Sequence, residues 1–390
     1  MKIAKVLFPS ACVVVGACLA VAALDLAFRW YESHHLIHNL EDLPGPFNLQ
    51  ELGYHHHGQP VPRNKTAETF RILSLGDSFA HSVTTSENTY AAMLEAALNE
   101  TVASRPQGAR SVEVINLGVP SVSFPEYLKQ GRHWSPLLEH DAVVLNIYAG
   151  NDFHEARDVP LSTAVRERLN VQVGLGTHIP RTHLLRFMDY LAAFVKSGTI
   201  QPPKVMDAPS DYDPVLIGEM DAETYRMVML IAARRYAPAL HEEFQPSLAW
   251  CREAMRFLAE EARQGRVVRI LVSPPHFWHD PHWLQEVQQA PEFAGQQLDP
   301  DLPAVLVRQL AAAEGLDPDV VLDLQSALQQ RAAAGETLYL GTNSHWTVAG
   351  NAVAADVLER AFAPVLAAWP GKAAFSASQL GLAAAARAVQ

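Results

Sequence analysis

Three strand-length apolar runs follow one another at regular spacing. Each closes on a polar turn and leads into a helical pattern. Phe70–Leu75 stops at Gly76-Asp77-Ser78, and Thr89–Leu98 then sets Tyr90, Met93, Leu94, Ala97 and Leu98 on one helix face. Val112–Leu117 ends in Asn116-Leu117-Gly118, and a helical stretch follows from Pro125. Ala142–Tyr148, the most apolar run, ends in Ala149-Gly150-Asn151-Asp152. Runs without a polar face are strands covered on both sides. Alternating with helices, they specify an α/β fold with a parallel sheet and right-handed crossovers.

The alternation breaks over 153–245. Gln201–Pro214, rich in proline and aspartate, has loop composition, and Ala222–Tyr236 has a helix pattern. The block is too long for a simple crossover. It is expected to be a mainly helical insertion, either a substrate-binding lid or a packing subdomain. Regular alternation resumes with a helix over Pro246–Arg263, a fourth strand at Val267–Val272 and a helix over Ala304–Ala313. A fifth strand at Val320–Leu324, a helix over Gln325–Ala333 and a closing helix over Val348–Leu366 complete it. The domain is therefore expected over 66–370, with about five parallel strands. Residues 371–390, alanine-rich, are expected to be poorly ordered.

The N-terminus has a different composition. Lys2 and Lys5 precede Val6–Leu24, an apolar stretch long enough to span a bilayer. Positive charge ahead of a span favours a cytoplasmic N-terminus. Residues 1–27 are thus expected to form an uncleaved single-pass transmembrane helix in the cytoplasmic membrane, with the rest on its extracytoplasmic side. A signal peptide cut within Ala17–Ala23, a lipoprotein box at Val15-Gly16-Ala17-Cys18 and a buried core helix are the competing readings. Residues 28–65 form a polar tether. Its histidines (His34, His35, His38, His55, His56, His57) lack the carboxylate or cysteine spacing of a metal site. Two of the three cysteines, Cys12 and Cys18, lie in the apolar stretch, which leaves Cys251 and no disulfide framework. The net charge of −12, with basic residues scattered, argues against a nucleic-acid partner.

Ser78, Gly118 and Asn151 lie past the ends of the first three strands, and His345 lies before the closing helix. Ligands of open α/β sheets bind beyond the carboxyl ends of strands. A serine there offers a hydroxyl for nucleophilic attack, and an imidazole offers a base with a pKa near the working pH. The Ser78 and Gly118 N–H groups and the Asn151 side-chain amide are three candidate donors to an oxyanion. Gly76-Asp77-Ser78, Asn116-Leu117-Gly118, Gly150-Asn151-Asp152 and Ser344-His345-Trp346, in that order, resemble the four blocks of the SGNH (GDSL) hydrolases, above all their membrane-anchored bacterial members. The resemblance spans Phe70 to Leu366 outside the insertion. It implies a flavodoxin-like, three-layer αβα fold with Ser78 as nucleophile and His345 as base. It places Ser78, Gly118 and Asn151 in the oxyanion hole and implies no metal and no organic cofactor. The implied partner is an ester-bearing small molecule or envelope polysaccharide, the activity ester hydrolysis. An O-acyltransferase using the same covalent step, or a catalytically silent polymer-binding module, are the alternatives.

One position departs from the family. The aspartate that usually stands two or three residues before the histidine is replaced by Asn343 and Thr342. Asn343 is able to orient the imidazole but brings no charge, so it is expected as the third member, with Asp323 as the competing carboxylate. Asp77 and Asp152 are expected to be structural hydrogen-bonders. His276, His279 and His282 are evenly spaced, but Pro275, Pro281, Trp278 and Trp283 among them suit a loop wall better than a metal site. Trp278, Trp283 and Trp346 are candidates for a sugar platform, with ordinary packing as the equal alternative.

Overall fold

Five parallel strands form the sheet at the centre of the computed structural model. The structure describes residues 64–103, 109, 111–120, 122–156 and 219–369, and the short pairs 55–56 and 59–60. The expected anchor (1–27), most of the tether and of the insertion, and the tail (371–390) lie outside the described residues. Among the described residues no helix is long and apolar enough to cross a membrane.

The strands are β1 (Thr69–Leu75), β2 (Ser111–Asn116), β3 (Ala142–Tyr148), β4 (Val267–Ser273) and β5 (Val321–Asp323). They pair in the order β2-β1-β3-β4-β5, with Phe70 opposite Val112, Leu73 opposite Val143, Leu145 opposite Ile270 and Leu271 opposite Leu322. This is the strand order of flavodoxin-type doubly wound sheets. β1 and β3 are buried along their whole length, as their unbroken apolar runs require, whereas edge strand β2 alternates.

Side chains of β1 alternate between two helix layers. On one face Phe70 meets Phe362 and Trp369 edge-on, and Ser74 Oγ bonds Tyr90 Oη at 2.7 Å. These partners come from α2 (Tyr90–Ala103) and from α10 (Val348–Ala368) with its C-terminal neighbour Trp369. On the other face Leu75 lies against α3 (Phe124–Trp134), whose Gly131 leaves room for Phe257 of α6 (Gln245–Arg263). Local signals set the helix starts. Ser123 and Glu126 close a capping box on α3, and Thr347 accepts the Gly350 N–H at the head of α10.

The remaining elements are α1 (Ser78–His81), α4 (Asp152–Glu155), α5 (Ala222–Arg234), α7 (Pro281–Gln289), α8 (Leu302–Ala313) and α9 (Gln325–Ala333). A hairpin pairs β6 (Tyr339–Leu340) with β7 (Asn343–Trp346). Two of these were not legible as such. α7 occupies what composition marks as a loop wall. Its signal is Asp280-Pro281, an N-cap accepting from His282 and Trp283 N–H groups followed by a first-turn proline. The hairpin is antiparallel and outside the main sheet, so the alternation that reveals the other strands says nothing of it.

Candidate active site

The strand order puts the ends of β1 and β3 side by side, at the point where the connections reverse direction across the sheet. That is where doubly wound folds bind ligands. Ser78 follows β1 and Asn151 follows β3.

Ser78 is the first residue of α1 and is partly exposed. Asp77 caps the helix, its Oδ1 accepting the Phe79 N–H at 2.9 Å. The Ser78 N–H is among the first-turn donors that a helix leaves without an internal acceptor. α1 ends at Ser82, whose φ of 70° and ψ of 160° lie in a region that side chains avoid. Its hydroxyl accepts from Asn351 Nδ2 at 3.1 Å. Asn351, fully buried on α10, also accepts the Tyr90 N–H at 3.0 Å. One amide thus ties the turn after the serine helix to both helices of that layer.

Gly118 packs against the backbone of α1. A Cβ there would lie 2.3 Å from His81 N and 2.6 Å from the Ala80 carbonyl carbon, so only glycine lets the β2 loop come this close. Its N–H is not free, however. It donates to Asn116 Oδ1 at 3.0 Å, while Asn116 Nδ2 donates to the Ala80 carbonyl at 2.7 Å. Asn116 therefore clasps the serine helix to the Gly118 loop and occupies the donor that sequence reasoning assigns to an oxyanion.

Asn151 stands at the head of α4 and donates through Nδ2 to Glu155 Oε1 at 2.9 Å. Asp152 behind it is buried, accepting from Tyr148 N at 2.9 Å and from Tyr127 Oη at 2.8 Å. Burial drives the Asp152 carboxyl well above its ordinary pKa, and the charge of Asp77 adds to this. Asp77, equally buried, is pushed up to about 7 by desolvation, against the Phe79 N–H bond. Both aspartates are hydrogen-bonding supports, as their positions beside the motif residues suggest.

His345 sits on β7. Its Nδ1 is 2.6 Å from Asn343 Oδ1, which also receives the His345 backbone N–H at 3.3 Å. Two donors converge on one oxygen. Turning the amide over would set its NH₂ against the backbone N–H, so the oxygen stays and Nδ1 carries the proton. Nε2 is then the unprotonated nitrogen. Burial, with His81 nearby, lowers the imidazole pKa to about 4. Phe79 joins the parts: it stacks on Tyr148 at 3.8 Å and on His345 at 5.2 Å, and meets Trp346 edge-on at 4.9 Å. Serine helix, β3 end and histidine strand thus share one aromatic packing unit. Among the described residues no hydrogen bond joins the Ser78 hydroxyl to His345.

Asp323, the competing carboxylate, is engaged elsewhere. Its Oδ1 accepts the Gln325 N–H at 3.0 Å at the start of α9. The loop histidines do not converge. His276 Nδ1 bonds Tyr225 Oη at 2.6 Å, His276 and His279 stack on Tyr339, and His282 is exposed beside Trp283. Among the described residues no histidine, cysteine and carboxylate group has the arrangement of a metal site. Of the three tryptophans, Trp346 is buried beneath Phe79 and is a core residue rather than a sugar platform. Trp283 and Trp278 rest edge-on against Tyr225 and Tyr236. Sequence reasoning missed Asn116 as a clasp, and missed Asn351 and Glu155. Asn351 carries a signal, a polar residue on the inward face of an apolar helix; Glu155 stands four residues after Asn151, the spacing of helical neighbours.

No protein-family model matches the chain. No curated protein matches it either. Among solved structures it is similar to an alpha/beta hydrolase enzyme from the metagenome of Lake Arreo, Spain, at 16% identity and TM-score 0.37, covering 74% of this chain and 93% of that one. It is also similar to two catalytic mutants of an acetylxylan esterase from Geobacillus stearothermophilus. The first is 14% identical, with TM-score 0.37, covering 77% of this chain and 95% of that one. The second is 13% identical, with TM-score 0.35 and the same coverage.

Proposed function

We propose that the chain is a serine esterase of the SGNH type, cleaving acyl or acetyl esters, with envelope carbohydrate as the substrate class. The observation that carries this is the Asn343–His345 pair. An amide oxygen fixed by two donors holds the imidazole with Nδ1 protonated and Nε2 available as a base, on a strand packed through Phe79 against the helix that starts with Ser78. In the proposed reaction Ser78 Oγ attacks the ester carbonyl carbon while its proton passes to His345 Nε2. The tetrahedral intermediate then collapses, the C–O bond to the alcohol breaks, and the alkoxide takes that proton. Water attacks the acyl-enzyme by the same route and restores Ser78. The oxyanion is assigned to the Ser78 N–H and the second N–H of Asn151. Gly118 serves chiefly through its close approach to α1, since its N–H would have to leave Asn116 to join them.

The proposal keeps the N-terminal anchor and the extracytoplasmic placement, which rest on Lys2, Lys5 and Val6–Leu24. The test is labelling by a fluorophosphonate together with p-nitrophenyl acetate turnover. Ser78→Ala is expected to lose both while keeping the wild-type circular dichroism and melting curve. Turnover surviving in a folded Ser78→Ala protein removes Ser78 from the mechanism.

A further inference from the structure

We propose that Glu155 is a positioning residue, whose carboxylate fixes which end of the Asn151 amide faces the reacting ester. The inference rests on Asn151 being an oxyanion donor. The Asn151 Oδ1 atom is buried with no hydrogen-bond partner, and the bond from Nδ2 to Glu155 Oε1, at 2.9 Å, is what opposes a turn of the amide. An ionised carboxylate only accepts, so it keeps the nitrogen on its own side. A protonated carboxyl also donates, and the turned amide is then equally well satisfied. Since the amide nitrogen has two hydrogens, one is held by Glu155 and the other remains for the oxyanion. The charge state of Glu155 therefore decides whether the donor is aimed or free to turn.

Among the described residues, the groups that interact with the Glu155 charge include Glu126 and Tyr127 on α3, Asp77 at the head of α1, and Asp152 on α4 itself. Partial burial and the Glu126 charge raise the Glu155 pKa against the Asn151 bond. Aiming of the amide is complete when Glu155 is ionised and is lost as pH falls through this raised value.

The experiment uses the full chain and p-nitrophenyl acetate. Glu155 has most of its side chain at the surface, with the carboxyl partly desolvated beside Asn151, and its variants are expected to keep the wild-type circular dichroism. Glu155→Ala is expected to lower kcat about tenfold with KM within about twofold, because an oxyanion donor acts in the transition state, and a loosened donor loses less than the 10²–10³ of a deleted one. Glu155→Gln, which like the protonated carboxyl both accepts and donates, satisfies either orientation of the amide equally, so about half of the molecules keep the donor aimed; its kcat should fall less than about threefold, and the part of the acid limb due to Glu155 should vanish. A second readout does not depend on turnover. With ¹⁵N-asparagine labelling, the side-chain amide signals of Asn151, assigned by their absence in Asn151→Ala, should titrate in the wild type and stand still in Glu155→Gln. Amide signals that ignore pH, or that titrate alike in Glu155→Gln, overturn the positioning role. Glu155→Gln as damaged as Glu155→Ala, or Glu155→Ala with wild-type kcat, overturns it too. If wild-type Ser78 takes no fluorophosphonate the esterase reading falls, and the amide titration alone then decides whether Glu155 holds Asn151.

Discussion

Asn343→Asp is the substitution that most directly probes the proposed base. In the structure Asn343 Oδ1 already holds Nδ1–H at 2.6 Å, so the tautomer is set and only the charge is missing. A full charge pair about 4 Å apart is worth about 4 kcal/mol at an effective dielectric constant of 20. The imidazolium charge is spread over the ring, so about half of that, roughly 2 kcal/mol, is a fair expectation. Two consequences follow. The acid limb of kcat/KM, which the imidazole pKa of about 4 places at low pH in the wild type, should move up by about 1.5 pH units. Because the imidazolium forms in the transition state, kcat at neutral pH should rise by about thirtyfold. This is far below the roughly 10⁴-fold effect of aspartate-to-asparagine replacement in a serine protease triad, which arises from the wrong tautomer. The assay is a pH–rate profile of p-nitrophenyl acetate hydrolysis for wild type, Asn343→Asp and Asp323→Asn. An unchanged acid limb and kcat in Asn343→Asp, beside a collapse in Asp323→Asn, would refute the assignment. The bond from Gln325 N–H to Asp323 argues for the opposite outcome, a near-silent Asp323→Asn in catalysis.

Three further outcomes are expected. Asn351→Ala strands the buried Tyr90 N–H and releases Ser82, so it should cost about 2 kcal/mol and lower the melting temperature by roughly 5 °C. Asp77 has its pKa raised from 3.8 to about 7. The fold thus binds this proton more tightly than the unfolded chain does, and stability falls as pH rises between those values. Asp77→Asn should flatten that fall in urea midpoints measured at pH 5 and pH 8. Finally, the full chain should fractionate with membranes through its first 27 residues, and an intact chain found free in the soluble fraction would count against the anchor.

Much of the architecture was written locally. The unbroken apolar runs of β1 and β3 can exist only as strands covered on both faces, and their turns carry Ser78 and Asn151 whatever the rest of the chain does. Capping residues set several helix starts locally, since Ser123, Thr347 and Asp280 act on neighbours three residues away or fewer, although at Asp280 the surrounding composition reads as a loop. Asn343 and His345, two residues apart on one strand, meet through local geometry alone. Contacts between segments far apart in the chain were a matter for the folded structure. Strand order set β1 beside β3, a consequence of which crossovers the helices could cover. Gly118 N–H was lost to Asn116 because the β2 loop was drawn against α1, and an oxygen of Asp323 was taken up by the Gln325 N–H at the head of α9. Phe79, which looks like any core residue in the sequence, became the ring that packs the serine helix onto the histidine strand. Sequence determines which groups a turn presents; which of those groups remain unspent depends on partners that only tertiary packing brings within hydrogen-bonding distance.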